Sequence, residues 1–210
     1  MHEIKGTDLV PVDFDPFVDT SIVTLPLTAQ QSEVWVESQM GPEASCAFNQ
    51  CFVLHLQGPL SIDSMQNALD EVACRHAALR ARFDEDGKEQ RILPQGKVVL
   101  AFEDLSGLGE KQRQETIERI LDRETGEPFD LANGPLLRAK VIREAADSYR
   151  LILTVHHIVC DGWSSSVLFS DLAASYAADR FGLEARLAEP MSYQENVTSV
   201  IGGIEAAADK

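Results

Sequence analysis

Val155-His156-His157-Ile158-Val159-Cys160-Asp161-Gly162-Trp163-Ser164 follows directly on the apolar run Leu151-Ile152-Leu153-Thr154. The apolar run reads as a buried strand, and the two histidines stand at its end. Side chains of a strand alternate in direction, so His156 and His157 are expected on opposite faces of the sheet. One imidazole is then available for chemistry and the other for structure. An acid follows four residues after His157, and a glycine turn follows the acid. A strand end can hold a polar side chain in a cleft while its backbone stays fixed.

Working outward, the segments on either side alternate between helix and strand patterns. Thr28 is a candidate N-cap for a helix to about Met40, ended by Gly41-Pro42. Asn49 to Leu56 reads as a strand, and Ser61 caps a helix from Ile62 to about His76 with Met65, Leu69 and Val72 at helical spacing. Leu79–Phe83 and Gln90–Leu93 flank Asp86-Gly87, a hairpin signal. Val98–Phe102 is a short strand, and Glu110 to about Glu124 an amphipathic helix. Leu136–Ile142 and Tyr149–Val159 form a second hairpin. A helix from Ser164 to about Phe181 stops at Gly182, and a last short helix lies beyond Pro190. Hairpins mixed with helices predict an α+β layer structure, a mixed β-sheet packed with helices. Residues 1–24 hold Glu3, Asp8, Asp13, Asp15 and Asp19 with two prolines and read as an acidic leader. The folded lobe is placed at 25–200 and a tail at 201–210.

The chain has 210 residues and a formal net charge of −16. That field repels nucleic-acid phosphates and anionic lipid, so neither is an expected partner. No apolar run is long enough to span a bilayer, and the start lacks a signal-peptide pattern. Cys46, Cys51, Cys74 and Cys160 are scattered without a CxxC pair, which predicts free thiols in a reducing, cytoplasmic setting. The basic stretch from Arg75 to Arg91 is interleaved with acids and reads as a solvated hairpin. No glycine-rich phosphate loop exists, and His157 with Asp161 are too few for a metal site. His55 and His76 lack partners in sequence, and Trp35 and Trp163 read as core residues.

His156-His157-Ile158-Val159-Cys160-Asp161-Gly162 matches the HHxxxDG signature of nonribosomal peptide synthetase condensation domains, which is shared with acyltransferases of the chloramphenicol acetyltransferase fold. Other stretches strengthen the resemblance. Thr28 to Trp35 resembles the family's first motif, S/T-x-A-Q-x-x-[aliphatic]-W, with Gln30 where alanine usually stands. Arg75-His76-Ala77-Ala78-Leu79-Arg80 resembles RHExLR, with alanine in place of the glutamate. Phe129-Asp130-Leu131, then Gly134 to Arg138, and Tyr193-Gln194-Glu195-Asn196 follow in the family's order. The family's later motifs do not occur. The chain therefore resembles the N-terminal, donor-side lobe alone, of a chloramphenicol acetyltransferase-like fold with the active site between two lobes.

The resemblance implies amide formation between carrier-protein-tethered substrates, with His157 in the channel. The implied partners are the C-terminal lobe and the upstream and downstream carrier proteins. Substrates would ride on the carriers' phosphopantetheine, with no cofactor bound by the lobe itself. An α-amine is already roughly a tenth neutral at pH 7, so a strong base is not obligatory. His157 as general base, as positioner of the amine, or as hydrogen-bond donor to the tetrahedral species all remain open. His156 is expected to be structural. The resemblance implies that Asp161 pairs with an arginine and holds the loop, Arg75 and Arg80 being the candidates in this half. Gly162 is expected to permit a backbone that a side chain would obstruct and to present its N–H to the reacting carbonyl. Gln39 to Cys46 resembles condensation domains that follow polyketide modules. The alternatives are a stand-alone acyl-CoA transferase of the chloramphenicol acetyltransferase type and a non-catalytic docking lobe using the acidic leader.

Overall fold

A computed structural model describes residues 21–208 of the chain. The acids of the expected leader lie outside the described residues. Two sheets form. The smaller has the order β1-β4-β3 and is antiparallel, with β1 at Val23–Pro26, β3 at Ala81–Phe83 and β4 at Glu89–Ile92. The larger has the order β2-β7-β6-β5, with β2 at Asn49–Gln57, β5 at Leu100–Asp104, β6 at Leu137–Ala145 and β7 at Ser148–His156. Only β5 and β6 run parallel, joined through helix α4 (Glu110–Gly126). The sheet is therefore mixed, as the sequence pattern predicts.

The layers follow from the alternation along β7. Leu151, Leu153 and Val155 share one core with Leu69 and Val72 of α3 (Ile62–Arg75) and Leu168 and Leu172 of α5 (Gly162–Phe181). Ile152 on the other face joins Ile117 and Ile120 of α4. Both faces of β7 are covered, which is why its sequence is almost continuously apolar. The hairpin partner β6 and the opposite neighbour β2 place it in the interior of the sheet.

The helix starts are written locally. Thr28 caps α1 (Ala29–Ser38): its hydroxyl accepts from the Gln31 N–H at 3.2 Å while Gln31 Oε1 accepts from the Thr28 N–H at 3.1 Å. Pro42 opens the short α2 (Pro42–Cys46) rather than only ending α1. The Ser61 hydroxyl caps α3 through the Ser64 N–H at 3.2 Å. Gly182 ends α5 with a left-handed backbone, φ 63°.

Several boundaries differ from the expectation. Residues Ala77–Arg80 form a 3-10 turn, so β3 begins at Ala81 rather than Leu79. β5 begins at Leu100 rather than Val98, because α3 side chains occupy the preceding backbone groups: Asp70 accepts from the Val98 N–H at 3.2 Å and Gln66 donates to the Val98 carbonyl at 2.6 Å. β7 ends at His156, and the chain turns before Val159. Helix α6 (Tyr193–Ala208) continues into the stretch expected to be tail, and β1 starts two residues ahead of Leu25. The basic stretch is also not a solvated hairpin throughout. Arg80 and Arg82 are half-buried, and desolvation lowers the pKa of both.

Gly87 sits in the β3–β4 turn with φ 65°, and its N–H donates to the Asp84 carbonyl at 3.2 Å. A β-carbon there would collide with the Trp35 indole. Gly87→Ala therefore combines a disfavoured backbone with displacement of a tryptophan. It is expected to lower stability by about 1–3 kcal/mol in urea melts; an unchanged midpoint would contradict this packing.

Candidate functional site

The site is built at the end of β7. Consecutive amides there point to different neighbours. The His156 N–H donates to the Leu136 carbonyl at 3.1 Å, just before β6. The His157 N–H donates to the Phe48 carbonyl at 2.9 Å, just before β2. Beyond them the chain folds into a turn whose polar groups are nearly all used. Val159 N–H donates to the His156 carbonyl at 3.1 Å, and Ile158 N–H to His156 Nδ1 at 3.2 Å. The Ile158 carbonyl accepts from Gln31 Nε2 at 3.3 Å.

The two rings do face different environments. His156 is fully buried between Phe48 and Phe129, with both ring centroids at 5.9 Å. Burial, together with the nearby His157 and Arg138, lowers its pKa to about 4. It is neutral at neutral pH, and since Nδ1 accepts, the proton sits on Nε2. Among the described residues Nε2 has no partner within hydrogen-bond geometry, although the Ser45 backbone acts on the ring in the opposite, pKa-raising sense. Arg138 flanks this cluster, its guanidinium 4.0 Å from the Phe129 ring centroid and 3.3 Å from Glu124.

His157 is exposed. Its Nδ1 lies 3.0 Å from the Cys160 carbonyl. A carbonyl only accepts, so a hydrogen bond here has the proton on Nδ1, and in the neutral ring the lone pair is then on Nε2. Among the described residues, none bonds Nε2. The ring borders a cavity of about 440 Å³ whose walls include Gln31 and Val34 of α1, Ser164 of α5, and Tyr193 and Val197 of α6. Cys160 is no rival nucleophile there. Burial, and then the Asp161 charge, raise its thiol to about 11.

Asp161 makes a different bond from the expected arginine pair. It is the N-cap of α5, which starts at Gly162 and not Ser164, and its Oδ1 accepts from the Ser164 N–H at 2.7 Å. Bonds from Ser164, foremost its backbone N–H, hold the carboxyl below its ordinary pKa. Neither candidate arginine reaches it. Arg75 Nε bonds Asp171 Oδ2 at 2.9 Å, and its guanidinium also meets the Ala188 carbonyl. Arg80 donates to the Leu93 carbonyl at 2.8 Å and to the Cys74 carbonyl. His76 also has a partner unforeseen from sequence, Asp171 Oδ2 at 2.8 Å. Arg75 and His76, at the end of α3, thus hold α5 through one carboxylate, and α5 carries Asp161 at its start.

Two further expectations change. Gly162 has no left-handed backbone, and a β-carbon there would meet nothing within 4 Å among the described residues, so the fold of this half does not require glycine. Trp163 is 82% exposed rather than core. Trp35 does pack against the core. The four described cysteines are all unpaired, as expected.

Sequence reasoning missed the jobs of Gln31 and Gln50. Gln31 bridges the Ile158 carbonyl, the Tyr193 hydroxyl at 2.9 Å and Gln90, whose Nε2 donates back to Gln31 Oε1 at 2.9 Å. Tyr193 in turn donates to Gln90 Oε1 at 2.8 Å. Gln50 lies on β2 with its amide 3.0 Å from His157 Nδ1. No signal in the sequence singled it out, because β2 also carries Asn49, His55 and Gln57.

Comparison with known proteins defines the class. A family profile for the condensation domain matches residues 22–199. Chondramide synthase cmdD of Chondromyces crocatus is 39% identical over 168 residues, covering 79% of this chain and 4% of that protein. Phosphinothricin tripeptide synthetase PhsB of Streptomyces viridochromogenes is 34% identical over 178 residues, 83% of this chain and 15% of that protein. Among solved structures, the first condensation domain of the calcium-dependent antibiotic synthetase, in complex with a substrate analogue, superposes with a TM-score of 0.76 at 27% identity, covering 90% of this chain and 44% of that one. The starter condensation domain of rhizomide synthetase RzmA shares the fold, with a TM-score of 0.77 at 23% identity, over 86% of this chain and 44% of that one. The chain belongs to the condensation-domain family of nonribosomal peptide synthetases. It spans under half the length of these two structures and a small part of these synthetases.

Two measurements test the local chemistry. The folded His156 pKa lies below that of an unfolded histidine, so the unfolded chain binds the extra proton. Stability is therefore expected to fall as pH drops from about 6.5 to about 4, by about 3 kcal/mol from this group, and then to level off. A His156 ring titrating near 6.5 by NMR would contradict the burial. If Asp161 acts as a cap, Asp161→Ala is expected to cost about 1 kcal/mol in urea unfolding and Asp161→Asn only a few tenths, because asparagine caps equally well. Equal losses for both would point to a charge pairing instead.

Proposed function

We propose that the chain is the N-terminal, donor-side lobe of a condensation domain, and that His157 serves its amide-forming step. Condensation domains are amide-forming acyltransferases within synthetases. In the reading proposed for this chain, the amine of one carrier-tethered substrate attacks the thioester carbonyl of another. The C–N bond forms, the C–S bond breaks, and the pantetheine thiolate leaves and gains a proton. Both substrates arrive on phosphopantetheine arms of upstream and downstream carrier proteins. A C-terminal lobe supplies the opposite wall of the channel, and the present lobe alone forms no peptide.

The observation that carries the reading is the free Nε2 of His157, on a ring whose Nδ1 is committed to the Cys160 carbonyl. In that tautomer Nε2 accepts a hydrogen bond and cannot donate one. It suits orienting the attacking amine and taking up its proton as the tetrahedral species forms, more than stabilising an oxyanion. The strand end adds pre-organisation, since the His156 and His157 amides are bonded to the chains on either side of β7. The condensation-domain match across residues 22–199 favours this function over a stand-alone acetyl-CoA transferase.

In the complete synthetase, His157→Ala is expected to reduce peptide-bond formation at least about 100-fold, the lower range for loss of a positioned acid–base group. Because the ring is exposed, the melting temperature should stay the same. Turnover close to that of the parent enzyme would remove His157 from the mechanism.

A further inference from the structure

The environment of His157 Nδ1 holds a conflict that identifies another working residue. Two groups lie 3.0 Å from this one nitrogen: the Cys160 carbonyl and the Gln50 side-chain amide. The carbonyl demands a proton on Nδ1. The amide presents its Nε2, also a donor, so donor faces donor. Meanwhile Gln50 Oε1 is buried without a hydrogen-bond partner among the described residues. A half-turn of the amide about its last torsion exchanges the two atoms at no steric cost. Oε1 then accepts from Nδ1–H alongside the Cys160 carbonyl. No bond is lost, because the position the NH2 group moves into had none.

We propose that Gln50 is a positioning residue for His157. Its amide oxygen and the Cys160 carbonyl share the Nδ1 proton, fix the ring plane and keep the Nε2 lone pair directed outward. The placement is rigid on both sides. Gln50 pairs with Val155 in the β2–β7 register, two residues before His157, and its neighbour Asn49 is tied to the end of α4 through the Thr125 and Glu127 carbonyls at 3.0 and 2.9 Å. The chain at the start of β2 thus meets the catalytic candidate twice, by the Phe48 carbonyl at the backbone and by Gln50 at the ring. The importance of this contact for turnover rests on the functional reading given above, but the contact itself does not.

The test reads the ring directly. In the 210-residue chain labelled with 15N-histidine, long-range 15N–1H correlation spectra at mildly alkaline pH are expected to show His157 with Nδ1 protonated and Nε2 bare. Gln50→Leu should introduce a clear Nε2–H population. Gln50→Glu, which can only accept, should restore the Nδ1–H form. An unchanged tautomer in Gln50→Leu would overturn the proposal, as would a Gln50→Glu ring shifted to Nε2–H, since that would mean the amide donates. Should Gln50→Leu fail to fold, Gln50→Met and Gln50→Glu carry the same comparison.

In the complete synthetase, Gln50→Leu is expected to lower kcat by about 10- to 100-fold with little change in KM, the loss seen when the outer partner of a metal-bound histidine is removed. Gln50→Glu should recover part of it. A normal rate in His157→Ala would defeat the functional reading while leaving the tautomer result intact. A tautomer indifferent to Gln50 would defeat this proposal while leaving the functional reading intact.

Discussion

The arrangement depends on two consecutive backbone hydrogen bonds at the end of one strand. His156 N–H goes to Leu136 and His157 N–H to Phe48, so the last residues of β7 are held by chains on both sides. A strand end with only one neighbour would fray. Here the backbone is fixed to the point where the chain must turn, and the alternation of side chains then sorts the two rings without further help. One is pressed into an aromatic pocket and kept neutral. The other is left at the surface with its basic nitrogen outward.

Around that clamp, residues distant in sequence act on the turn or on the helix after it. Gln31 reaches the Ile158 carbonyl from α1 and meets Tyr193 of α6 and Gln90 of β4. Arg75 and His76 reach Asp171 from α3 and so hold α5. Asp161 starts α5 by capping it. Of the two histidines, His156 is buried and His157 is exposed. Among the described residues no hydrogen bond joins Asp161 to His157 as in a triad; its Oδ1 caps α5 through the Ser164 N–H.

The sequence is legible where local rules decide. Thr28 and Ser61 announce their helices because a hydroxyl meets an orphan amide three residues on. Asp86-Gly87 announces its turn because the backbone there needs a positive φ. The opposition of His156 and His157 follows from strand alternation alone. What the sequence hides are pairings set by tertiary geometry. Asp171 lies nearly a hundred residues from Arg75, and nothing in either segment names the other. Gln66 and Asp70 delay the start of β5 by capturing its backbone from a helix. Gln50 is one of several polar residues in β2 until that strand is laid beside β7. The size of Trp163 suggests a core residue, yet it lies in the first turn of α5, where the described residues leave it largely uncovered.

Hydrogen exchange at the His157 amide tests the central claim most directly. If the strand end is clamped as described, this amide is expected to exchange as slowly as those of Leu153 and Val155 in the middle of β7, despite the exposure of its side chain. Exchange at the rate of an open loop would show that the imidazole is carried on a frayed end, and the account of a pre-organised base would fail.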